Sequence, residues 1–197
     1  MDRSISDDCD ADILAWHNTY TTYLNRVKRN GNVLENVPFE FINKELCMEA
    51  VHNNGYALQY VPDEYKSYII YLIAVQKCGD ALKFIPNECK TSELCFIAVQ
   101  TGKSALKFVP NEFKTPELCF IAIQAYGVAL RYVPDEYKTL EMCMIAVNGD
   151  GLALKYVPNE LKTETMCMIA VIEDKHAIKY VPDKLKTHKM CLISVQN

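Results

Sequence analysis

Cysteine is the residue of this 197-residue sequence with the most conspicuous chemistry, because thiols ligate metals, form disulfides and act as nucleophiles. Six of the nine cysteines share one column with a tyrosine: Cys47, Tyr71, Cys95, Cys119, Cys143, Cys167 and Cys191. Zinc ligands lie about 2.3 Å from one ion and disulfide-bonded Cα atoms within about 7 Å, whereas equivalent positions of packed helical repeats lie about 10 Å apart. We therefore predict buried packing residues in a reducing compartment, with no metal and no other cofactor.

A basic column and an amide column have the residue types that recognise other molecules. The basic column is Lys83, Lys107, Arg131, Lys155 and Lys179, and the amide column is Gln76, Gln100, Gln124 and Asn148. An aromatic residue follows each basic one, and amide edges with stacked rings are used by helical repeats that read RNA one base at a time. The amide column is nearly uniform, however, and 21 basic against 25 acidic residues give a net charge of -4. Both observations disfavour nucleic acid as the partner.

Four further columns allow simpler interpretations. A second row of lysines alternates with glutamates, as on a solvated face, and the Asp or Asn after each proline is interpreted as a cap of a short turn. The second lysine row is Lys66, Lys90, Lys114, Lys138, Lys162 and Lys186. A column of large apolar residues comprises Met48, Leu72, Phe96, Phe120, Met144, Met168 and Leu192. We leave two alternatives open for the apolar column, packing against the short segments or an exposed ridge that grips a partner helix.

These columns exist because the chain is built from a 24-residue repeat, which the prolines show most clearly. The prolines in series are Pro38, Pro62, Pro86, Pro110, Pro134, Pro158 and Pro182. The clearest unit is TPELCFIAIQAYGVALRYVPDEYK, residues 115–138. Units begin near residues 43, 67, 91, 115, 139, 163 and 187, and the last unit is truncated.

The pattern inside a unit predicts helices. Thr115 is a helix N-cap, a first helix of about eleven residues follows, and Gly127 is expected to take the left-handed conformation of a C-cap. The ALRY segment then fits a short helix that ends before Pro134. Lys103 and Lys175 replace the glycine in two units, so we expect those two corners to be strained or differently shaped.

One unit alone cannot offset the entropy of ordering its chain, about 1 to 2 kcal/mol per residue, so the units must stack. The sequence therefore predicts an all-α fold, a right-handed solenoid of about seven 24-residue repeats. Each repeat has a longer helix plus a short helix or 3-10 turn. We expect residues 1–10 to be a disordered acidic tail, residues 11–30 an N-terminal capping helix, and residues 31–197 the helical repeat solenoid.

The pattern ELC-x-IAV followed by GxALKYVPxExKT resembles a repeat family of unknown function, abundant in mimivirus-type giant viruses and amoeba-associated intracellular bacteria. The resemblance covers roughly residues 30–197 and implies no catalytic residues. It implies a viral or intracellular-bacterial protein that acts in a host cell. The alternation of a longer and a shorter helix is also similar in length and rhythm to the leucine-rich variant repeats.

The last unit ends after its first helix, so we expect either a chain that is a piece of a longer array or an apolar face that a partner or a second copy covers. The residues predicted for this end-to-end interface are Met190, Cys191, Leu192, Ile193 and Val195. The chain has no apolar run long enough to span a bilayer and begins with an acidic segment. We therefore expect a cytoplasmic protein that makes no membrane contact, in the host cytoplasm or the virion if the protein is viral.

The sequence has no phosphate-binding glycine loop, no HExxH and no GxSxG, so it predicts no enzyme. The function that it favours is a non-catalytic repeat scaffold for protein–protein interaction, with partners of unknown identity. One alternative is a structural protein that stacks through its C-terminal end. A second alternative is an RNA-binding solenoid.

Overall fold

The structure, a computed structural model, describes the backbone of residues 5–195 and the side chains of residues 13–195. It alternates one α-helix with two 3-10 helices per repeat, and residues 5–195 contain no strand. The α-helices are α1 (Ile5–Arg29), α2 (Lys44–Asn53), α3 (Tyr68–Lys77), α4 (Ser92–Thr101), α5 (Pro116–Ala125), α6 (Leu140–Gly149), α7 (Glu164–Glu173) and α8 (His188–Val195). The prediction of an all-α repeat solenoid is confirmed.

Each α-helix is followed by a longer and then a shorter 3-10 helix. The longer ones are Gly31–Asn36, Gly55–Tyr60, Gly79–Phe84, Ala105–Phe108, Gly127–Tyr132, Gly151–Tyr156 and Lys175–Tyr180. The shorter ones are Phe39–Phe41, Asp63–Tyr65, Asn87–Cys89, Asn111–Phe113, Asp135–Tyr137, Asn159–Leu161 and Asp183–Leu185. A proline with extended backbone separates the two in every unit, because its ring disfavours helix in the preceding residue.

The first helix covers the first repeat and is longer than predicted. It begins at Ile5, so residues 5–10 of the expected tail are helical, whereas residues 1–4 lie outside the described residues. Val27 is fully buried against the repeats, and the hydroxyl of Tyr20 donates a hydrogen bond of 3.1 Å to Glu45 on α2. This helix therefore caps the core at its N-terminal side.

A side-chain cap starts most of the repeat helices, as the threonines predict. The hydroxyl of Thr139 accepts a hydrogen bond of 3.2 Å from the backbone N–H of Met142, and Thr91, Thr115 and Thr163 do the same in their units. Ser67 is the exception, because its hydroxyl makes no cap bond and is buried without a partner.

The prediction of left-handed glycines at the helix ends is wrong. No glycine or other residue of the described chain has a positive φ. Instead, a Cβ on Gly127 would overlap the carbonyl oxygen of Ala146 in the next unit, and a Cβ on Gly151 would overlap that of Ala170. Glycine is required because the 3-10 segment of one unit lies directly on the α-helix of the next unit.

The core is one continuous layer between the α-helices and the longer 3-10 helices. In each unit it takes the same positions, for example Leu118, Cys119, Ala122 and Ile123 from α5 and Leu130 from the 3-10 helix. Consecutive α-helices pack against each other, and α2, α3, α4, α6 and α7 also pack closely against the longer 3-10 helices on both sides. No unit has a core of its own, which explains why the repeats stack.

Three lysines of the second row join neighbouring units. The ammonium group of Lys138 donates to the Asp135 carboxylate at 2.8 Å and to the backbone carbonyl of Tyr156 in the next unit at 3.1 Å. Lys90 and Lys162 donate to the equivalent carbonyls of Phe108 and Tyr180. We call these lysines inter-unit staples. They are structural residues, so the interpretation as a solvated face is wrong for these three lysines, whereas Lys186 at the end of the row is exposed.

The staples also explain the column of Asp and Asn after the proline. These residues were predicted as caps, but the N-cap position of the short 3-10 helix is the proline itself and no side chain caps it. Asp135 and Asn87 instead accept a hydrogen bond from the lysine three residues later. Asp and Asn exchange freely here because both present the same acceptor oxygen to the lysine.

The repeat is interrupted at Lys103, one of the two positions where lysine replaces the glycine. There the longer 3-10 helix begins only at Ala105, and the N–H of Ser104 donates to Asp80 in the preceding unit. Gly102 has moved so close to that unit that a Cβ on it would lie 2.6 Å from the backbone nitrogen of Asp80. Ala122 of the next unit is 5% exposed, whereas the equivalent alanines of the other described units are fully buried.

The expectation of an altered corner is therefore confirmed at Lys103 and wrong at Lys175. Lys175 begins a 3-10 helix of the regular six residues. The Asp174 side chain fixes its first turn by accepting the N–H of His176 at 2.7 Å. The Lys103 unit has Gly102 at the position of Asp174 and has no such acceptor there.

Candidate functional site

The basic column lies on the longer 3-10 helices, and every member is exposed. Each cation lies over the aromatic ring that follows it in the sequence, between 4.6 and 5.7 Å from the ring centroid. We call this arrangement the cation–aromatic ladder. The ladder comprises Lys83, Lys107, Arg131, Lys155 and Lys179 with Phe84, Phe108, Tyr132, Tyr156 and Tyr180.

Two cations of the ladder also reach the ring of the next unit. The Arg131 guanidinium carbon is 5.6 Å from the Tyr132 centroid and 5.8 Å from that of Tyr156. Lys155 lies at 5.7 Å from Tyr156 and 5.8 Å from Tyr180. Since one cation touches two rings at these distances, the centroids of successive rings are less than about 12 Å apart. The ladder is thus a closely spaced row from Arg131 to Tyr180.

The ladder borders depressions that recur with the period of the repeat. One has a volume of about 440 Å³ and another about 410 Å³. The first is lined by Asn87, Lys90, Lys107, Phe108, Val109, Pro110, Asn111 and Lys114. The second is lined by Asn111, Lys114, Arg131, Tyr132, Val133, Pro134, Glu136 and Tyr137. The two linings are largely the same positions shifted by one unit, so the surface presents one depression after another to a partner.

The charge in these depressions is mixed rather than uniformly basic. Arg131 and Lys114 line the same depression as Glu136. Next to it, the hydrogen bond from the Lys138 staple lowers the pKa of the Asp135 carboxyl, so that group is ionised at neutral pH. Burial lowers the pKa of the Lys90 staple, which is consistent with its position between two units. Such a surface suits a partner with separated charges.

The amide column does not join the ladder. Gln76, Gln100, Gln124 and Asn148 are exposed near the C-terminal ends of the α-helices, whereas the ladder is on the 3-10 helices. Neither depression beside the ladder is lined by one of these amides. The structure therefore keeps apart the two columns that a one-base-per-repeat reader would combine.

The cysteine column is in the core, as predicted. Cys47, Cys95, Cys119, Cys143 and Cys167 are fully buried and carry free thiols. Burial raises the pKa of Cys47, Cys95 and Cys119 to about 11, so their thiols are protonated at neutral pH. Cys191, on the last helix, is exposed.

The large apolar column combines features of both alternatives. Most members pack partly buried on the core, but Phe96 is 44% exposed. Beside Phe120 the α-helix surface has an apolar depression of about 340 Å³, which Pro116, Ile121 and Met142 also line. Most members of the column therefore pack on the core with one edge and leave the other edge on the surface, whereas Phe96 and Leu192 are exposed.

Comparison with known proteins identifies the repeat. The model of the family described as "Domain of unknown function (DUF4116)" matches residues 23–66, 43–90, 67–114, 91–138, 115–162 and 139–186. These segments overlap, and together they cover residues 23–186. The chain belongs to the DUF4116 family. No curated protein and no solved structure matches it.

The matched segments follow the structural units, since each of them contains about two DUF4116 repeats. The resemblance to a repeat family of unknown function is thereby confirmed. Within the described residues of this DUF4116 chain, none of the helices has the length and apolar character needed to cross a bilayer.

The structure divides the predicted end-to-end interface of the DUF4116 chain. Met190 is fully buried in the core and Ile193 is partly buried, so Met190 is not available to a second copy. Cys191, Leu192 and Val195 are exposed on α8. The helix period explains the division, because one face of α8 packs on the preceding unit.

The interruption at Lys103 creates a cavity that sequence reasoning missed. Its volume is about 250 Å³, and its lining includes Lys103, Tyr126, Arg131, Tyr132 and Tyr156. The signal in the sequence was the replacement of the glycine by Lys103. The place of the cavity was not predictable, because it depends on how closely Gly102 approaches the preceding DUF4116 repeat. The cavity adjoins the ladder at Arg131.

Proposed function

We propose that this DUF4116 chain is a non-catalytic repeat scaffold that binds protein partners along the cation–aromatic ladder. The observation that carries the proposal is the repetition of an exposed cation on a half-buried ring, unit after unit, beside recurring depressions. Arginine and aromatic side chains are the residues over-represented in the energetic centres of protein interfaces.

The rigidity of the ladder supports binding. The rings pack against the core, and staples such as Lys138 fix the 3-10 helices of adjacent units relative to each other. A partner therefore meets groups that are already ordered, which lowers the entropic cost of association. Each rung contributes little alone, about 0.2 to 1 kcal/mol for an exposed ion pair with the partner, so affinity comes from engaging several rungs together.

The cellular setting in this proposal comes from the resemblance described for the sequence. A repeat protein of giant-virus or intracellular-bacterial type would meet its partners in the host cytoplasm, or in the virion if it is packaged. Host cytoplasmic proteins are accordingly the first partners to test.

The test is selection of peptides from a random display library on three forms of the immobilised chain. The ladder variant combines Lys107→Glu, Arg131→Glu and Lys155→Glu. A control combines Lys77→Glu, Lys184→Glu and Lys189→Glu, which are exposed lysines outside the ladder. We expect the wild type and the control to enrich the same peptides and the ladder variant to lose them. Equal enrichment by all three forms contradicts the proposal.

RNA binding is a second candidate, favoured by the rings beside the ladder cations, because bases stack on aromatic side chains. Fluorescence anisotropy with single-stranded RNA tests it. An RNA-binding ladder gives an affinity that falls steeply above about 50 mM salt and disappears in the ladder variant.

Self-association is a third candidate, favoured by the exposure of Leu192 and Val195 on α8. Light scattering at increasing protein concentration tests it. A mass that rises with concentration, and that stays monomeric in the double variant Leu192→Lys and Val195→Lys, supports this candidate.

A further inference from the structure

We infer that the ligand of the ladder is a polyproline II segment with a carboxylate at every third residue. The inference rests on the proposed function and deepens it by naming the chemistry of the partner. It is carried by three features of the ladder: the spacing of its rungs, their charge and their aromatic rings.

The upper limit on the spacing of the rungs accommodates one turn of polyproline II. Packed helices lie about 8 to 10 Å apart, and the rings around Arg131 and Lys155 are less than about 12 Å apart. Polyproline II has three residues per turn and rises 3.1 Å per residue, so equivalent side chains recur about every 9 Å on the same side. An extended β-strand turns every third side chain to the opposite face and does not fit this period.

The charge of the rungs selects carboxylates. Arg131, Lys155 and Lys179 are exposed, so a carboxylate at each turn of the ligand meets one cation. The residues between the carboxylates must be uncharged, because Glu136 lines the same depression as Arg131. A polyanion with a charge on every residue would place some of its charges beside Glu136, which is unfavourable.

The rings select proline for the intervening positions. Segments in polyproline II conformation dock on aromatic grooves, and they lose little entropy because the conformation is preformed. Tyr132, Tyr156 and Tyr180 are partly buried and provide successive apolar surfaces between the cations. A proline of the ligand packs on each ring while the next acidic residue reaches the next cation.

The experiment uses a fluorescent peptide of five Glu-Pro-Pro triplets, with anisotropy of the full chain as the readout. The control peptide has the same composition and net charge, but its five glutamates are contiguous and precede ten prolines. The glutamine variant of the ladder combines Arg131→Gln, Lys155→Gln and Lys179→Gln, and its matched control combines Lys77→Gln, Lys184→Gln and Lys189→Gln. Circular dichroism checks that each variant is folded.

We expect the triplet peptide to bind the wild type about tenfold more tightly than the contiguous peptide. The glutamine variant should bind the triplet peptide about tenfold more weakly, the effect of losing three exposed ion pairs together, and the matched control should bind it as the wild type does.

Equal binding of the two peptides overturns the three-residue period. If the display selection still depends on the ladder in that case, the proposed function stands and only the inference fails. If neither the binding of the triplet peptide nor the display selection depends on the ladder, the inference and the proposed function both fail. Tighter binding of single-stranded RNA than of the triplet peptide, lost in the same variant, overturns the inference in favour of nucleic acid.

Discussion

Lysine has two different roles within one repeat, which its position in the unit decides. The side chain of Lys138 is 9% exposed and donates to a carbonyl of the next unit, so it contributes to the stability of the stack. Lys155, seventeen residues later, is exposed and lies over a tyrosine ring. Two columns that look alike in the sequence therefore have different consequences, and only the second is available to a partner.

The glycine column gives the sharpest prediction at this scale. In Gly151→Ala the new Cβ would overlap the Ala170 carbonyl, so two units must separate. We expect the substitution to lower the free energy of unfolding by about 1 to 3 kcal/mol, the usual cost of overpacking. Urea unfolding measures it.

Gly149→Ala is the matched control, because nothing lies within 4 Å of a Cβ at Gly149, the last residue of α6. Alanine has a higher helix propensity than glycine, so this substitution should leave stability unchanged or raise it by up to about 1 kcal/mol. A loss at Gly149 as large as that at Gly151 would contradict the close-approach explanation.

The buried thiols predict a loss of stability at alkaline pH. Burial raises the pKa of Cys95 and Cys119 to about 11, whereas an unfolded cysteine has a pKa of about 8.5. The folded state thus holds these protons more tightly than the unfolded state. The resulting contribution to the free energy of unfolding is complete below pH 8.5 and disappears as the pH rises towards 11. The lowered pKa of Lys90 and of Lys162 makes the folded state more stable as the pH rises, which opposes the effect of the thiols. Five buried thiols have a raised pKa, so the loss of stability should prevail over the effect of two lysines.

Urea midpoints measured from pH 8 to pH 10.5 check this prediction. The midpoint of the wild type should fall throughout that range. In the double variant Cys95→Ala and Cys119→Ala the midpoint starts lower, because the substitutions remove packing, but it should fall less steeply. Parallel slopes in the two proteins would show that these thiols do not titrate on unfolding.

The helices themselves were largely predictable, since their start signals are local. Thr139 caps α6 through a bond to the backbone only three residues away, so the sequence near one helix end is sufficient to place it. The glycine column was placed correctly but for the wrong reason. Gly127 is required by the carbonyl of Ala146 in the next unit, and a contact between units is not visible in the sequence of one unit.

The cation–aromatic ladder was likewise predictable within one unit but not between units. The basic column and the aromatic column are adjacent in the sequence, so their pairing within one unit follows from the spacing. The bridging of Arg131 to Tyr156 and the separation of the ladder from Gln124 depend on how units pack, and neither was predicted. The cavity at Lys103 was missed because it arises from a shift of the whole 3-10 segment.

That shift should be reversible by exchanging one residue. The variant Lys103→Gly restores the glycine of the next unit, in which Gly127 begins a regular six-residue 3-10 helix without any side-chain cap. We expect the 3-10 helix to regain its first turn and the cavity to close. Filling a cavity usually contributes about 0.5 to 2 kcal/mol, which corresponds to a rise in Tm of a few degrees for a protein of this size.

Calorimetry measures the rise, and Lys175→Gly is the control. The corner at Lys175 already has a regular 3-10 helix, so glycine there has no cavity to close and should give no gain in Tm. A rise in both variants would mean that glycine stabilises by a route unrelated to the interruption.

At the scale of the whole molecule, the fold is held together by contacts between successive units. Each α-helix packs on its neighbours in the sequence, and the three staples join the short 3-10 helix of one unit to the longer 3-10 helix of the next. Stability in such a stack is approximately a sum over units and over the interfaces between them. The length of the stack is therefore adjustable in steps of one repeat and in no smaller step.

This predicts opposite outcomes for two deletions that begin at the same residue. Removing residues 139–162 joins Lys138 to Thr163, which preserves every column, so the shorter chain should fold with an unchanged circular dichroism signal per residue. Its urea m-value should fall by about an eighth, because m scales with the surface exposed on unfolding and 24 of 197 residues are absent. Removing residues 139–158 joins Lys138 to Asn159, and α6 is lost without a helix in register to replace it. The smaller deletion should then destroy cooperative unfolding while the larger one keeps it, and a folded product from both would show that register does not determine the stack.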